Sequence, residues 1–375
     1  MNVLFIGGTG RLSKDVAKAT VEKGNKVFLL TRGSEYRSRF VNEKCSMLIG
    51  DIRKPESCKK YFEKPMYYDV IIDFLSLCEA DIKRTLELIE GTYKQYIFVS
   101  SATVYTRNEN VITEDNGNIG NSRWEYAYNK YLCEEYLKNY FSEKEDESFY
   151  TIIRPYVTYG NTRVPYPLVP RNTILEYSFI QRIINGQAIP TFDNGATITA
   201  ILNTKDFSYL VVGLFGNDKA KNEDFNIADE EITRWREVID IIGELLNTKV
   251  VTSDYSKDEI CKYMPEYEPV LYGDKGIDVR FDITKVKKVV GGYKKTVSLK
   301  EGLLEMISYY QENPELQLID YKWNGKIDRL LYKKGMNSNY KYRFPTLKAA
   351  SLYYSGRYSF VGKIMDMVIK IISVI

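Results

Sequence analysis

A doubly wound α/β fold, a parallel sheet with helices on both faces, follows from three observations on residues 1–160. Short apolar runs recur at Asn2–Ile6, Lys26–Leu30, Ser46–Ile49, Val70–Phe74, Tyr96–Val99 and Tyr150–Ile153. Helix-length polar stretches separate several of them, at Leu12–Lys23, Pro55–Phe62, Asp81–Ile89 and Glu125–Phe141. Between the first strand and the first helix lies Gly7-Gly8-Thr9-Gly10-Arg11-Leu12-Ser13. Apolar strands that alternate with helices make a parallel sheet covered on both faces. A glycine turn that opens a helix lets backbone N–H groups and the helix N-terminus hold a pyrophosphate, so a dinucleotide is expected here.

Each later segment extends this plan. After Arg154-Pro155 the texture changes to a proline-containing loop, Tyr159 to Pro170, followed by a helix at Ile174–Ile184. Irregular segments beyond the strand ends are where ligand-binding loops sit on open sheets, so a smaller second lobe begins there. Glu231–Leu246 and Ser298–Glu312 read as further amphipathic helices. The final run, Phe360–Ile375, is apolar but interrupted by Lys363, Asp366 and Lys370, too short and broken to span a bilayer. A helix docked on its own domain or on a neighbouring subunit is favoured there over peripheral membrane contact.

Composition narrows the chemistry. The 375 residues are 44% apolar and 27% charged, which suits one elaborate globular domain or two lobes. A net charge of +3, from 53 basic and 50 acidic residues, gives no reason to expect a nucleic-acid partner. Five cysteines (Cys45, Cys58, Cys78, Cys133, Cys261) are scattered without a CxxC, and the chain opens directly on a strand pattern, which reads as cytoplasmic and reduced. The absence of histidine removes His-based triads and most zinc sites, and no metal is expected. Proton transfer must fall to Tyr, Lys, Ser, Cys or carboxylates.

Tyr126-Ala-Tyr-Asn-Lys130 offers such a group. Residues four apart share a helix face, so Lys130 can sit beside Tyr126 and lower its pKa towards neutrality, making the phenolate accessible as a base. With 32 tyrosines some such pairs arise by chance, and Tyr140 with Lys144 reads as one of them. The run Val99-Ser100-Ser101-Ala102-Thr103-Val104-Tyr105 closes the fifth strand, at the edge where ligands meet a parallel sheet. Ser101 can therefore bond the reacting oxygen opposite Tyr126, with Ser100 the competing choice.

Taken in order, these motifs resemble the extended short-chain dehydrogenase/reductases of the NAD-dependent epimerase/dehydratase family. The resemblance runs through Gly7/Gly10/Ser13, Asp51-Ile52, Ser100 to Tyr105, Tyr126 with Lys130, Arg154-Pro155, Tyr159-Gly160, Lys205-Asp206-Phe207, Phe225 to Ala228 and Val297 to Gly302, about residues 1–315. It implies a Rossmann cofactor-binding domain over 1–160 to which 200–230 return, a substrate lobe of 161–199 and 231–318, and an extension over 319–375. It also implies a catalytic group of Ser101, Tyr126 and Lys130, with Lys130 holding the nicotinamide ribose. Gly7, Thr9, Gly10, Arg11, Leu12, Arg32, Asp51, Ile52, Phe74 and Leu75 would complete the cofactor site, Asp51 and Ile52 against the adenine. Ser101, Thr103, Tyr156 and Arg163 would contact a sugar or nucleotide-sugar substrate, and a homodimer would form through Asp81–Ile89 and Glu125–Phe141.

The same resemblance ranks the reactions. Ser101-Ala102-Thr103 is similar to the galactose-epimerase pattern and lacks the Asp-Glu pair of dehydratases, so epimerisation through a keto intermediate is expected and dehydration disfavoured. A keto-sugar reductase on the same residues is the first alternative, and a non-catalytic nucleotide- or RNA-binding module the second. Two departures matter. Thr31-Arg32 stands where NAD-preferring members carry an acid, which tilts the cofactor towards NADP with NAD left open, unless Arg32 is simply a solvated arginine. Near Thr199 the usual pyrophosphate-gripping arginine is missing, leaving Arg163, Arg171 or Arg182 as substitutes.

Overall fold

Six of the apolar runs and one further strand pair side by side in a single all-parallel sheet. In the computed structural model, which describes residues 1–33, 44–63, 67–107, 111–336, 340–358 and 360, the chain divides into two units. The first comprises Met1–Gly160, Ala200–Ile232 and Val279–Leu299. The sheet of this unit is made of β1 (Asn2–Ile6), β2 (Lys26–Thr31), β3 (Ser46–Ile49), β4 (Tyr68–Asp73), β5 (Tyr93–Val99) and β6 (Phe149–Pro155), with Glu223–Ile227 as the seventh strand. The helices α1 (Ser13–Glu22), α2 (Glu79–Ile89) and α3 (Glu125–Ser142) connect them.

The strand order is Glu223–Ile227, β6, β5, β4, β1, β2, β3. The chain therefore winds outward from β1 to one edge, then returns to β4 and winds towards the other. That reversal opens a crevice at the C-terminal ends of β1 and β4, the place where a doubly wound sheet receives ligands. Val3, Leu4, Phe5 and Ile6 have no exposed surface, because helices cover both faces of the central strand. Ile82, Leu86 and Ile89 line one side of α2 and pack with Cys133, Leu137 and Phe141 of α3 against Ile71, Tyr96 and Phe98 of the sheet. At ~1.5–3 kcal/mol for each large apolar side chain fully buried, this layer is what fixes the two helices to the strands.

Three segments differ from the sequence expectation. Pro55–Phe62 is two 3-10 turns, Pro55–Ser57 and Lys59–Tyr61, instead of one helix. Ser57 explains the break: its hydroxyl accepts from the Asp51 N–H at 2.8 Å and donates to the Lys54 carbonyl at 2.8 Å, local bonds that compete with a helical ladder. Glu223–Ile227 escapes the apolar criterion because Glu223 and Asp224 open it, half-exposed at the sheet edge. Within 231–246 the chain first makes the short strand Thr233–Arg234 and only then the helix Trp235–Leu245.

The second unit comprises Asn161–Thr199, Thr233–Asp278 and Lys300–Ile375 and is mainly helical. Residues beyond 319 are built into it through two helices, Tyr321–Lys333 and Leu347–Arg357. These cross at glycines: a Cβ on Gly325 would fall 2.1 Å from the Tyr353 carbonyl oxygen, and one on Gly356 2.1 Å from that of Lys322. Arg182, fully buried, ties the first of these helices to the unit with an ion pair to Asp328 at 2.8 Å and a bond to Asn324 Oδ1 at 3.0 Å. The terminal helix expected at Phe360–Ile375 lies outside the described residues apart from Phe360. Among the described residues no helix is long and apolar enough to cross a membrane.

A Gly325→Ala substitution is expected to destabilise this unit by about 2 kcal/mol or more, since the added methyl meets backbone that cannot rotate away. A lowered urea midpoint for the full chain is the measurement.

Candidate active site

The glycine turn leaves β1 in a conformation that other residues reach only with strain. Gly7 has φ +87°, its N–H donates to the Leu30 carbonyl at 3.1 Å, and a Cβ there would lie 2.6 Å from Leu75 Cγ. Gly8 is equally tight, 2.4 Å from Leu29 Cδ2 on the same test. Ser13, standing where a third glycine is usual, fastens the turn: its Oγ donates to the Gly7 carbonyl at 2.8 Å and accepts from the Gly10 N–H at 2.9 Å. Thr9, Arg11 and Leu12 are half-buried in the turn, and no side chain caps the start of α1. Tight glycines before an uncapped helix N-terminus fit a dinucleotide pyrophosphate, which such a dipole end attracts.

The neighbouring strand ends bring further candidates to the same edge of the sheet. Arg32 is exposed just beyond β2, ahead of Gly33 at φ +74°. After β3, Asp51 is half-exposed with Oδ1 accepting from the Arg53 N–H at 3.1 Å, while Ile52 is buried in the core layer. After β4, Phe74 stacks on Phe5 with centroids 6.1 Å apart, and Leu75 leans over Gly7.

The fifth strand and α3 hold the proposed proton-transfer residues. Lys130 is buried, and its Nζ donates to the carbonyls of Ser76 at 2.6 Å and Val99 at 2.8 Å, 4.6 Å from the centre of the Phe98 ring. Burial pushes its pKa down, and Cys133, Asp73, Glu134 and Asp81 push it back up. Tyr126 lies one helical turn earlier, half-buried, its ring centre 5.2 Å from that of Trp124. Ser101 caps the turn Ala102–Val104, its Oγ accepting from the Thr103 N–H at 3.3 Å and hydroxyl at 2.9 Å. The Ser100 hydroxyl points elsewhere, donating to Glu134 Oε1 at 2.5 Å. Tyr140 and Lys144 stand at the far end of α3, where Lys144 bonds Asp146 at 3.0 Å.

Glu134 was not singled out by the sequence, yet it has no exposed surface and joins a polar network centred on Arg154. Arg154 on β6 donates from Nε to Glu134 Oε1 at 3.0 Å and from Nη2 to Oε2 at 2.7 Å. Its Nη1 reaches the Tyr105 hydroxyl at 2.6 Å and its Nη2 pairs with Asp224 at 2.5 Å. Tyr105 in turn donates to Asn226 Oδ1 at 2.9 Å on the seventh strand. The available signals were a glutamate four residues after Lys130 and an arginine inside an apolar strand.

The substrate candidates divide between the units. Thr103 and Tyr156 are buried in the first, where the Tyr156 ring centre lies 5.0 Å from that of Phe281 and 5.3 Å from the Arg107 guanidinium carbon. Arg163 belongs to the second, and with Arg171 it opposes the charge of Lys275, whose pKa burial already lowers. Arg182 is committed to Asp328, which removes it as a stand-in for the missing arginine. Thr199 pairs with Thr233 in a two-stranded ladder, and Arg234 stands opposite Ile198, beside it.

The family model described as the NAD dependent epimerase/dehydratase family matches residues 3–228. The chain belongs to that family. It is an NAD(P)-dependent enzyme of the extended short-chain dehydrogenase/reductase type. It is 26% identical over 322 residues to the 41 kDa chloroplast stem-loop binding protein b of Arabidopsis thaliana, covering 81% of this chain and 77% of that protein. A putative UDP-glucose 4-epimerase of Methanocaldococcus jannaschii is 23% identical over 333 residues, covering 83% of this chain and 99% of its own. The fold is shared with the UDP-glucose 4-epimerase of Thermotoga maritima solved with UDP-glucose, at TM-score 0.64 and 21% identity over 84% of this chain and all (100%) of that one.

Removing the Glu134 carboxylate strands a guanidinium in the interior. Glu134→Ala is expected to cost ~3–5 kcal/mol in urea unfolding, far more than Lys144→Ala at an ion pair that water screens.

Proposed function

We propose that this protein is a nucleotide-sugar epimerase that works through a keto-sugar intermediate, with Tyr126 as acid and base. The observation that carries the reading is the double anchorage of Lys130. Its bonds to Val99 and Ser76 fasten the α3 turn that bears Tyr126 to the strand end that bears Ser101. Two of its three donors are used there, which leaves one for a ribose hydroxyl of the cofactor. Because Ser100 is bonded to Glu134, Ser101 is the hydroxyl left for the reacting oxygen.

When bound, NAD(P)+ supplies the acceptor for the carbinol hydride and returns that hydride later. Tyr126, as phenolate beside the Lys130 ammonium, takes the proton of the same carbinol hydroxyl, and Ser101 bridges it to the substrate oxygen. Return of the hydride to the opposite face, with the proton given back by Tyr126, inverts the carbon without net redox change. Ala102 and Thr103 offer no carboxylate to expel water, which argues against dehydration. Stem-loop binding, named for the plant relative, is not carried over, because the near-neutral chain retains Ser101, Tyr126 and Lys130.

Arg32 favours a second reading, a reductase that consumes NADPH, since an exposed arginine at the end of β2 suits a 2′-phosphate. Incubation with UDP-glucose or UDP-glucuronic acid separates the two: epimer formation with retained dinucleotide is expected, whereas stoichiometric NADPH oxidation in the presence of a keto-sugar replaces it with the reductase. Tyr126→Phe should lower turnover by about 10²-fold or more while cofactor affinity holds. Unchanged turnover removes Tyr126 from the mechanism. For Arg32→Ala, titration calorimetry should show roughly tenfold weaker NADP binding with NAD unaffected; equal effects on both reject the 2′-phosphate role.

A further inference from the structure

We propose that Asp73 is a positioning residue, a buried carboxylate that ties the glycine turn and Lys130 to one another through the turn after β4. The inference rests on the proposed role of Lys130 at the cofactor ribose. Asp73 is the last residue of β4, beside the crevice, and has no exposed surface. A carboxylate so placed costs several kcal/mol unless its lone pairs are satisfied. Four donors satisfy it: the N–H groups of Leu75 at 2.7 Å and Ser76 at 3.1 Å on Oδ1, and the hydroxyls of Ser76 at 2.5 Å and Tyr96 at 2.8 Å on Oδ2.

Those four bonds set the shape of the Leu75–Ser76 turn, and both ends of that turn meet the candidate site. Leu75 is held where its side chain closes over Gly7, at 2.6 Å from an added Cβ. The Ser76 carbonyl is turned to Lys130 Nζ at 2.6 Å. One carboxylate thereby orders a contact on the pyrophosphate turn and an anchor of the ammonium.

Its charge adds a second effect. The groups that face Lys130 are Asp73 from β4, Asp81 from α2, and Cys133 and Glu134 from α3 itself. Glu134 is matched by Arg154, Asp81 by Arg84 at 3.0 Å, and burial pushes the Cys133 thiol up to about 12, so it stays neutral. All four donors to Asp73 are neutral, and its carboxylate is one of the groups that raise the Lys130 pKa against the lowering by burial.

Asp73→Asn tests this without a substrate. The amide oxygen keeps the acceptor for two backbone N–H groups, and its NH2 faces two hydroxyls that can accept, so shape is preserved while charge is lost. Lysine 13Cε NMR, with Lys130→Arg to assign the signal, should place the Lys130 midpoint about one pH unit lower in Asp73→Asn. Calorimetry should show NAD and NADP binding roughly tenfold weaker. An unmoved Lys130 midpoint, or affinities within about twofold of the parent, overturns the proposal. Should Asp73→Asn fail to fold, Tyr96→Phe removes one donor and leaves the charge less compensated; the Lys130 midpoint should then rise, and no movement overturns the proposal. Tyr126→Phe run alongside distinguishes the readings, because retained turnover there defeats the catalytic assignment while the Lys130 titration still judges Asp73.

Discussion

The pairing of Arg154 with Glu134, both withdrawn from water, decides how α3 meets the sheet. A buried charge is tolerated only where the partner geometry is good and the remaining donors are used. Here the guanidinium forks onto the carboxylate and spends its other N–H groups on Tyr105 and Asp224, while the carboxylate accepts from Ser100. Rotating or sliding α3 would move the Glu134 carboxylate away from both Ser100 and Arg154. Lys130, one turn away, inherits that constraint, and so does Tyr126 a turn further. The two residues proposed for proton transfer thus take their place from a network on the inner side of α3.

The doubly wound class was legible because the central strands are covered on both faces, which leaves continuous apolar runs such as Val3 to Ile6 and Val70 to Ile72. Legibility failed where that condition lapses. The seventh strand opens with Glu223 and Asp224 at an edge, and the latter is an ion-pair partner of Arg154 instead of a core residue. Pro55–Phe62 carried a helical texture, but the Ser57 hydroxyl offers its neighbours local bonds that no periodicity records.

The candidate site is legible only through motifs that are local in sequence. Ser100 and Ser101 are indistinguishable by composition; just past the end of β5, one hydroxyl reaches Glu134 on α3 and the other caps the turn Ala102–Val104. Glu134 stayed hidden because its partners, Ser100 and Arg154, lie on other segments, and Asp73 because an acid at the end of an apolar strand gives no sign that it gathers the turn after it and Tyr96. The extension beyond residue 319 offered no motif at all, and its place in the second unit rests on Arg182 and on two glycines at a helix crossing.

Ser13 gives the opening turn a property that a third glycine lacks. A glycine there would leave the loop to be ordered by whatever binds it, at the expense of the conformational freedom lost on closure. The Ser13 hydroxyl instead clasps Gly7 and Gly10 from the first residue of α1, so the loop's shape is held by its own bonds. A loop so clasped is preorganised, and a ligand seated on it loses less of its binding energy to ordering it.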